Sequence, residues 1–326
     1  MTRVHVVASF RHYAEHLAPI WRELPDDVRG VFMVDSVRLE TEMRAQGVDA
    51  VAPRRGGGRL IPERDPVMVA GFRDLGWCRD RPVCLVEHGA GQTYSDTVGG
   101  SYAGGRGRDR IGLFLVPNGE VRDANLVRYP SARVAVVGCP RLDDLLAVRV
   151  GGGPVGVTFH WACQVSTEAG TARGEWWDQV ERLVSFGVDV LGHGHPRDWR
   201  NAELRWRKLG VPSEMRWDRV VSTVSVLVAD NSSVMFEAAA LGVPVVVLNS
   251  DGWRKDVEHG RRFWRDHRLG PVLWPGDDLV DGIGRAVAGE NSTEREQAVR
   301  RVYEVPPSLN RRSSKLAARE VMSWAL

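Results

Sequence analysis

The apolar run Val224-Ser225-Val226-Leu227-Val228-Ala229 is followed at once by Asp-Asn-Ser-Ser-Val-Met-Phe-Glu, and then by a second apolar run from Val245 to Leu248. Both runs read as buried strands. The serine step followed by Ala238-Ala239-Ala240-Leu241 reads as a helix between them, ended by the Gly242-Val243-Pro244 turn. Strand, helix and strand in so short a stretch make a parallel βαβ unit, which confines the chain to the α/β class.

The alternation recurs on both sides. In the first half, strand-type runs at Val4 to Ala8, Val31 to Val34, Asp49 to Ala52, Val67 to Ala70, Val83 to Val86, Ile111 to Val116 and Val134 to Val137 alternate with amphipathic stretches such as Tyr13 to Leu24 and Val37 to Ala45. In the second, strands are expected at Val155 to Phe159, Val188 to Leu191 and Val272 to Trp274, with helices at Trp176 to Phe186, Trp199 to Leu209 and Lys255 to Arg265. A length of 326 residues fits two such domains. The expected division is a first domain over 1–148, a glycine-rich linker over 149–154, a second domain over 155–308, and a terminal helix over 309–326 that can pack back on the first.

Composition closes off other classes. Apolar residues make up 43% and charged residues 26%, and no stretch approaches the ~20 apolar residues a bilayer span needs. The N-terminus reads as a first strand, so a cytoplasmic protein is expected. The four cysteines form no Cys-x-x-Cys pair and are expected as free thiols. Among the twelve tryptophans, Trp21, Trp176 and Trp206 fall on helical faces and are expected in cores, while Trp161 and Trp253, just past strands, are candidates for stacking on a base or sugar. Net charge is only +2, but two segments concentrate arginine among glycines: Arg54, Arg55 and Arg59, then Arg106, Arg108 and Arg110. Both are expected as mobile loops, either solvated or clamping an anionic acceptor.

The residues after Ala229 suit a phosphate. A helix that begins directly after a strand presents unpaired N–H groups and a positive dipole end, to which Ser232 and Ser233 add hydroxyls. Simple capping by Asp230, Asn231 or a serine is the competing reading. Glu237, four residues after Ser233, lies on the same helix face about 6 Å along the axis, a separation that matches a pyrophosphate and its ribose. His88, between the strand Val83 to Val86 and a Gly-Ala-Gly turn, stands at a C-terminal strand edge, where it can act as a base, with Glu87 or Asp96 to orient it. His193 and His195 share one face, but no third residue has metal-ligand spacing, and no metal is expected.

The segment Asp230-Asn231-Ser232-Ser233 with Glu237 resembles the donor-binding motif of GT-B glycosyltransferases, and more closely that of the CDP-glycerol glycerophosphotransferase (teichoic acid polymerase) family. Three further stretches match that family in order: His88-Gly89, the Gly-x-Pro-Arg-x-Asp of Gly138 to Asp143, and His195-Pro196. The family's Trp-Arg after the first strand of the second domain is replaced here by His160-Trp161. The resemblance implies an α/β GT-B fold, two Rossmann-like domains with mostly parallel sheets facing a central cleft. It implies a metal-independent inverting transferase with His88 as general base, aided by Asp96, and a donor held by His195, Ser232, Ser233, Glu237, Arg141, Asn231 and His160. No cofactor is expected to stay bound; the UDP- or CDP-linked donor is a substrate, and the acceptor is a hydroxyl. Other activities fit the same motifs: glycerol phosphate transfer from CDP-glycerol, glycosylation of hydroxymethylated bases in phage DNA by way of the arginine loops, or 2-epimerisation of a nucleotide sugar. A non-catalytic nucleic-acid-binding protein is the reading from outside the enzymes.

Overall fold

A computed structural model describes residues 2–53, 61–62, 64–90, 107–160, 171–230, 232–250 and 267–326. The chain divides into two units, Met1–Asp144 with Tyr303–Leu326, and Leu145–Val302.

Seven strands build the sheet of the first unit: β1 (Val4–Ala8), β2 (Arg29–Val34), β3 (Ala50–Val51), β4 (Val67–Val69), β5 (Val83–Val86), β6 (Ile111–Val116) and β7 (Arg133–Val136). Their order is β3-β2-β1-β4-β5-β6-β7 and every pair is parallel. Helices α1 (Arg11–Glu23), α2 (Val37–Arg44), α3 (Leu75–Cys78), α4 (Gly119–Arg128) and α5 (Pro140–Ala147) make the connections. Side chains on both faces are buried, as a sheet covered on both sides requires: Val4, Val6 and Ala8 join Leu17, Ile20 and Phe32 in one core, while Val7 joins Val69, Leu85 and Phe114 in another. Ser36 caps α2 by accepting from the Leu39 N–H, and Asn118 caps α4 by accepting from the Val121 N–H.

In the second unit β8 (Val155–Phe159), β9 (Val190–Gly194), β10 (Val226–Ala229), β11 (Val245–Leu248) and β12 (Val272–Leu273) lie in the order β12-β11-β10-β8-β9, again all parallel. They alternate with α6 (Arg173–Ser185), α7 (Trp199–Lys208), α8 (Trp217–Thr223), α9 (Val234–Ala240), α10 (Leu279–Val287) and α11 (Ser292–Val302). Trp176 and Trp206 are fully buried here and Trp21 is buried in the first unit, as their helical positions predicted. Strand β9 runs on to Gly194, beyond the expected end at Leu191. A Cβ at Gly192 would meet the Trp206 indole at 2.3 Å, and one at Gly194 would meet Ala202 at 2.7 Å, so the two glycines let α7 settle on the strand. The helix expected over 255–265 lies outside the described residues.

Residues 145–154 belong to the second unit and are tied to it. Arg149 donates to the Ser222 and Val224 carbonyls, and the Val150, Gly151 and Gly153 N–H groups donate to Ser222 and Thr223. After α11 the chain returns to the first unit, ending in α12 (Arg312–Ala325), which packs on α1 and β6 and adds Ala317, Ala318 and Val321 to the first core.

The strand orders define where each unit binds ligands. Connections reverse direction between β1 and β4 in the first sheet and between β8 and β10 in the second, and open parallel sheets open a crevice at such points, beyond the strands' C-terminal ends.

Candidate functional site

At the second unit's reversal point stands Asp230, wholly buried. Its carboxylate accepts the His160 N–H at 2.8 Å, the Thr171 hydroxyl at 3.0 Å and the Ala172 N–H at 3.2 Å. One side chain therefore fixes the exit of β8, the entry to α6 and the end of β10. Its charge is compensated by these donors, as a buried carboxylate requires. Asp230 is thus not the cap of α9.

Ser232 and Ser233 lead into α9, half-buried. Neither hydroxyl is bonded to another described residue, and Ser233, at the cap position, makes no side-chain cap hydrogen bond. Capping does not account for this serine pair among the described residues. Glu237 is 2% exposed, and its Oε2 accepts the Trp217 indole N–H at 2.8 Å. The indole lies 5.4 Å from the His193 ring, whose Nδ1 is 2.7 Å from the Thr158 hydroxyl directly across the β8–β9 register.

His195 follows β9 and opens a short 3-10 turn begun by Pro196. The Arg197 N–H reaches its Nδ1 at 3.2 Å. An N–H can only donate, so Nδ1 is the acceptor and the proton of the neutral ring sits on Nε2. Burial, reinforced by Arg197, lowers the His195 pKa to about 4, so the ring is neutral near pH 7. The His160 ring lies edge-on at 5.2 Å.

In the first unit His88 follows β5, half-buried, with its Nδ1 2.8 Å from the Ala70 carbonyl. A carbonyl can only accept, so Nδ1 carries the proton and Nε2 keeps its lone pair. Burial, with Arg141 adding to it, pushes the His88 pKa below the usual histidine value. His88 thus satisfies a buried carbonyl, as a purely structural histidine would, and still presents a basic nitrogen. Its orienting group is that carbonyl and not Glu87, whose carboxylate is buried beside Asn125. Tyr13, His12 and His16 of α1 surround the ring at 5.3, 6.0 and 6.0 Å between centroids.

The arginines have partners of their own in the first unit. Arg141 is 6% exposed and pairs with Glu15 at 2.6 Å, and Glu15 in turn holds Arg11. Neither Asp143 nor Asp144 is its partner in this pair. The surrounding motif closes the fold: Gly138, at φ +75°, leaves room for the Val305 carbonyl, which a Cβ would approach to 2.4 Å. Asp143 accepts from the Ser308 and Ser314 N–H groups and the Ser314 hydroxyl. Arg108 and Arg110 are not on an outward clamp. The Arg108 guanidinium is buried 4.1 Å over the Phe72 ring, and Arg110 donates to the Leu75 carbonyl. Asp96, Asn231, Arg54, Arg55, Arg59, Arg106, Trp161 and Trp253 lie outside the described residues.

Asp230 as an anchor, Trp217 and Thr158 were not singled out for these roles, and nothing local marks them. His12 and His16 did leave a signal, an i, i+4 pair on one face of α1. Among the described residues, no group of three His, Cys, Asp or Glu side chains is placed to hold a metal ion, and no helix is long and apolar enough to cross a membrane.

The two units, each an α/β layer structure around a parallel sheet, have a fold of the GT-B type. Solved structures of this fold match nearly the whole chain. The UDP-GlcNAc 2-epimerase of Neisseria meningitidis bound to UDP-GlcNAc is 13% identical, with 99% of this chain and 100% of that one covered and a TM-score of 0.63. The wall teichoic acid polymerase TagF, soaked with CDPG, is 13% identical, with 98% and 88% covered and a TM-score of 0.65. A Methanocaldococcus jannaschii UDP-GlcNAc 2-epimerase in complex with UDP-GlcNAc and UDP is 14% identical, with 99% and 100% covered and a TM-score of 0.60. No protein-family model and no curated protein sequence matches the chain.

Proposed function

We propose that this protein is a metal-independent, inverting GT-B transferase that moves a sugar or a glycerol phosphate from a UDP- or CDP-linked donor to an acceptor hydroxyl. The observation that carries the reading is the opposite protonation of two neutral imidazoles: His88 offers a lone pair at Nε2, and His195 offers a proton there. Transfer needs one of each. The Nε2 of His88 accepts the acceptor's hydroxyl proton as that oxygen attacks, while the bond from the transferred group to the leaving phosphate oxygen breaks. Attack falls on the anomeric carbon for a sugar, or on phosphorus for glycerol phosphate. Charge then grows on the departing phosphate, where the Nε2–H of His195 and the hydroxyls of Ser232 and Ser233 donate to it. Glu237, already held by Trp217 through one oxygen, takes the ribose hydroxyls. Binding in the second unit and proton removal in the first are separable functions.

A thermal-shift series with UDP, CDP, GDP, ADP and their sugar or glycerol conjugates tests this reading. Stabilisation by one nucleotide diphosphate, lost in Glu237→Ala and kept in His88→Ala, is expected. No shift with any of them at millimolar concentration would overturn it.

A second reading, nucleotide-sugar 2-epimerase, is favoured by the end-to-end match to the epimerases, whose chains are covered completely. Inversion at C2 breaks a C–H bond and needs no acceptor. Deuterium entering the sugar of UDP-GlcNAc in D2O without acceptor would select it, and group transfer that depends on an added hydroxyl would select the transferase.

A further inference from the structure

The second unit holds a groove between α6 and α7 that neither reading uses. It encloses about 400 Å³, within the roughly 300–1,000 Å³ range of small-molecule sites. Arg173, Trp177 and Glu181 form one side, and Leu204, Arg205 and Lys208 form the other. Arg173, Trp177 and Arg205 also line a small recess that reaches His193 and His195, so the groove continues outward from there.

Its charges are sorted. Arg173 is fixed by Asp198 at 2.9 Å, and the single acid, Glu181, accepts the Trp177 indole N–H at 2.7 Å. Among the described residues neither Arg205 nor Lys208 makes an ion-pair contact with a carboxylate, and Arg205 acts on Asp198 only through its charge. The two cations stand three apart on α7, where side chains are neighbours about 5–6 Å apart at Cβ, close enough for both to reach one phosphate. On the opposite wall Trp177 stands between Arg173 and Glu181, and its ring leans on Trp206 with centroids 5.0 Å apart; Leu204, on the cations' own side, is 43% exposed. Two cations outside any ion-pair contact, facing a braced tryptophan, complement an anion that carries a flat or apolar body.

We infer that this groove binds a phosphate-bearing small molecule of about mononucleotide size, its phosphate on Arg205 and Lys208 and its body along Trp177 and Leu204. The site uses neither Ser232, Ser233 nor Glu237, so it stands independently of the donor reading.

Phenyl phosphate is the probe, titrated calorimetrically into the full chain, with inorganic phosphate in parallel. Wild type is expected to bind phenyl phosphate more tightly than inorganic phosphate. Arg205→Ala/Lys208→Ala, exposed positions where alanine favours the helix, is expected to lower that affinity by at least about tenfold, with Glu237→Ala unchanged. Three results would overturn the proposal: no heat from wild type at millimolar probe, equal binding by the double variant, or loss of binding in Glu237→Ala, which would move the probe to the donor residues. A purely solvated basic helix face gives the first of these.

Discussion

His88 and His195 occupy equivalent stations, one past β5 in the first sheet and one past β9 in the second, and both are held neutral by burial. They differ in the backbone group that meets Nδ1. A carbonyl, that of Ala70, faces His88, and an amide, that of Arg197, faces His195. The first turns Nε2 into a base and the second turns it into a donor. The same residue type, at the same kind of strand edge, thus receives opposite chemistry from one neighbouring peptide group.

Glutamine tests that contrast, because its amide nitrogen can replace an Nε2–H but cannot accept a proton as a base. His88→Gln is expected to lower turnover by about 10³-fold with nucleotide binding retained, whereas His195→Gln should cost only about tenfold. Equal losses in a steady-state assay would erase the distinction. The units also differ in how their sites are anchored: a backbone carbonyl in the first, the buried Asp230 carboxylate in the second. Asp230→Ala strands three donors and is expected to cost ~3 kcal/mol in urea unfolding, while a surface-like loss under 1 kcal/mol would show that the anchor is dispensable. A finer probe is Trp217→Phe, which keeps an aromatic ring, though a smaller one, and removes the N–H held by Glu237. Roughly fivefold weaker nucleotide binding is expected, with the folded state intact by circular dichroism.

The smallest effect concerns acid. The folded His195 stays neutral down to about pH 4, but the unfolded chain protonates it near its ordinary value of ~6.5. Between those values the unfolded state binds the extra proton, so stability falls as pH drops from about 6.5 to 4. His16 and His88, also lowered mainly by burial, act in the same direction. His195→Gln should therefore show a shallower loss of urea midpoint between pH 7 and pH 5 than wild type. An identical slope would mean that other groups set the acid response.

The parallel sheets were legible because Val-rich runs alternate with helical spacing, and His88 and His195 because each sits among small residues past a strand end. Their Nδ1 partners were not, since any residue can supply a carbonyl or an amide. The partners of the Gly138–Asp143 motif were not legible because they are long-range: Asp143 bonds Ser308 and Ser314 far along the chain, while Arg141 pairs with Glu15. Arg108 misled through its neighbours, since glycines and arginines in alternation look solvated, yet its guanidinium needed only Phe72 to be drawn inside. Glu237 read correctly as a carboxylate among apolar residues, but Trp217, its partner, sits in a different helix.

The return of α12 to the first unit bears on how the chain is made. Leu145–Val302 is contiguous and has all of its residues once Val302 is synthesised, while the first unit, begun at the ribosome long before, still lacks Ala317, Ala318 and Val321 of its core and the ion pairs of Arg311 with Glu23 and Asp144. The second unit thus has its full set of residues before the first does, the reverse of N-terminal domain first. The unit whose first strand emerges earlier stays incomplete until α12 has been translated.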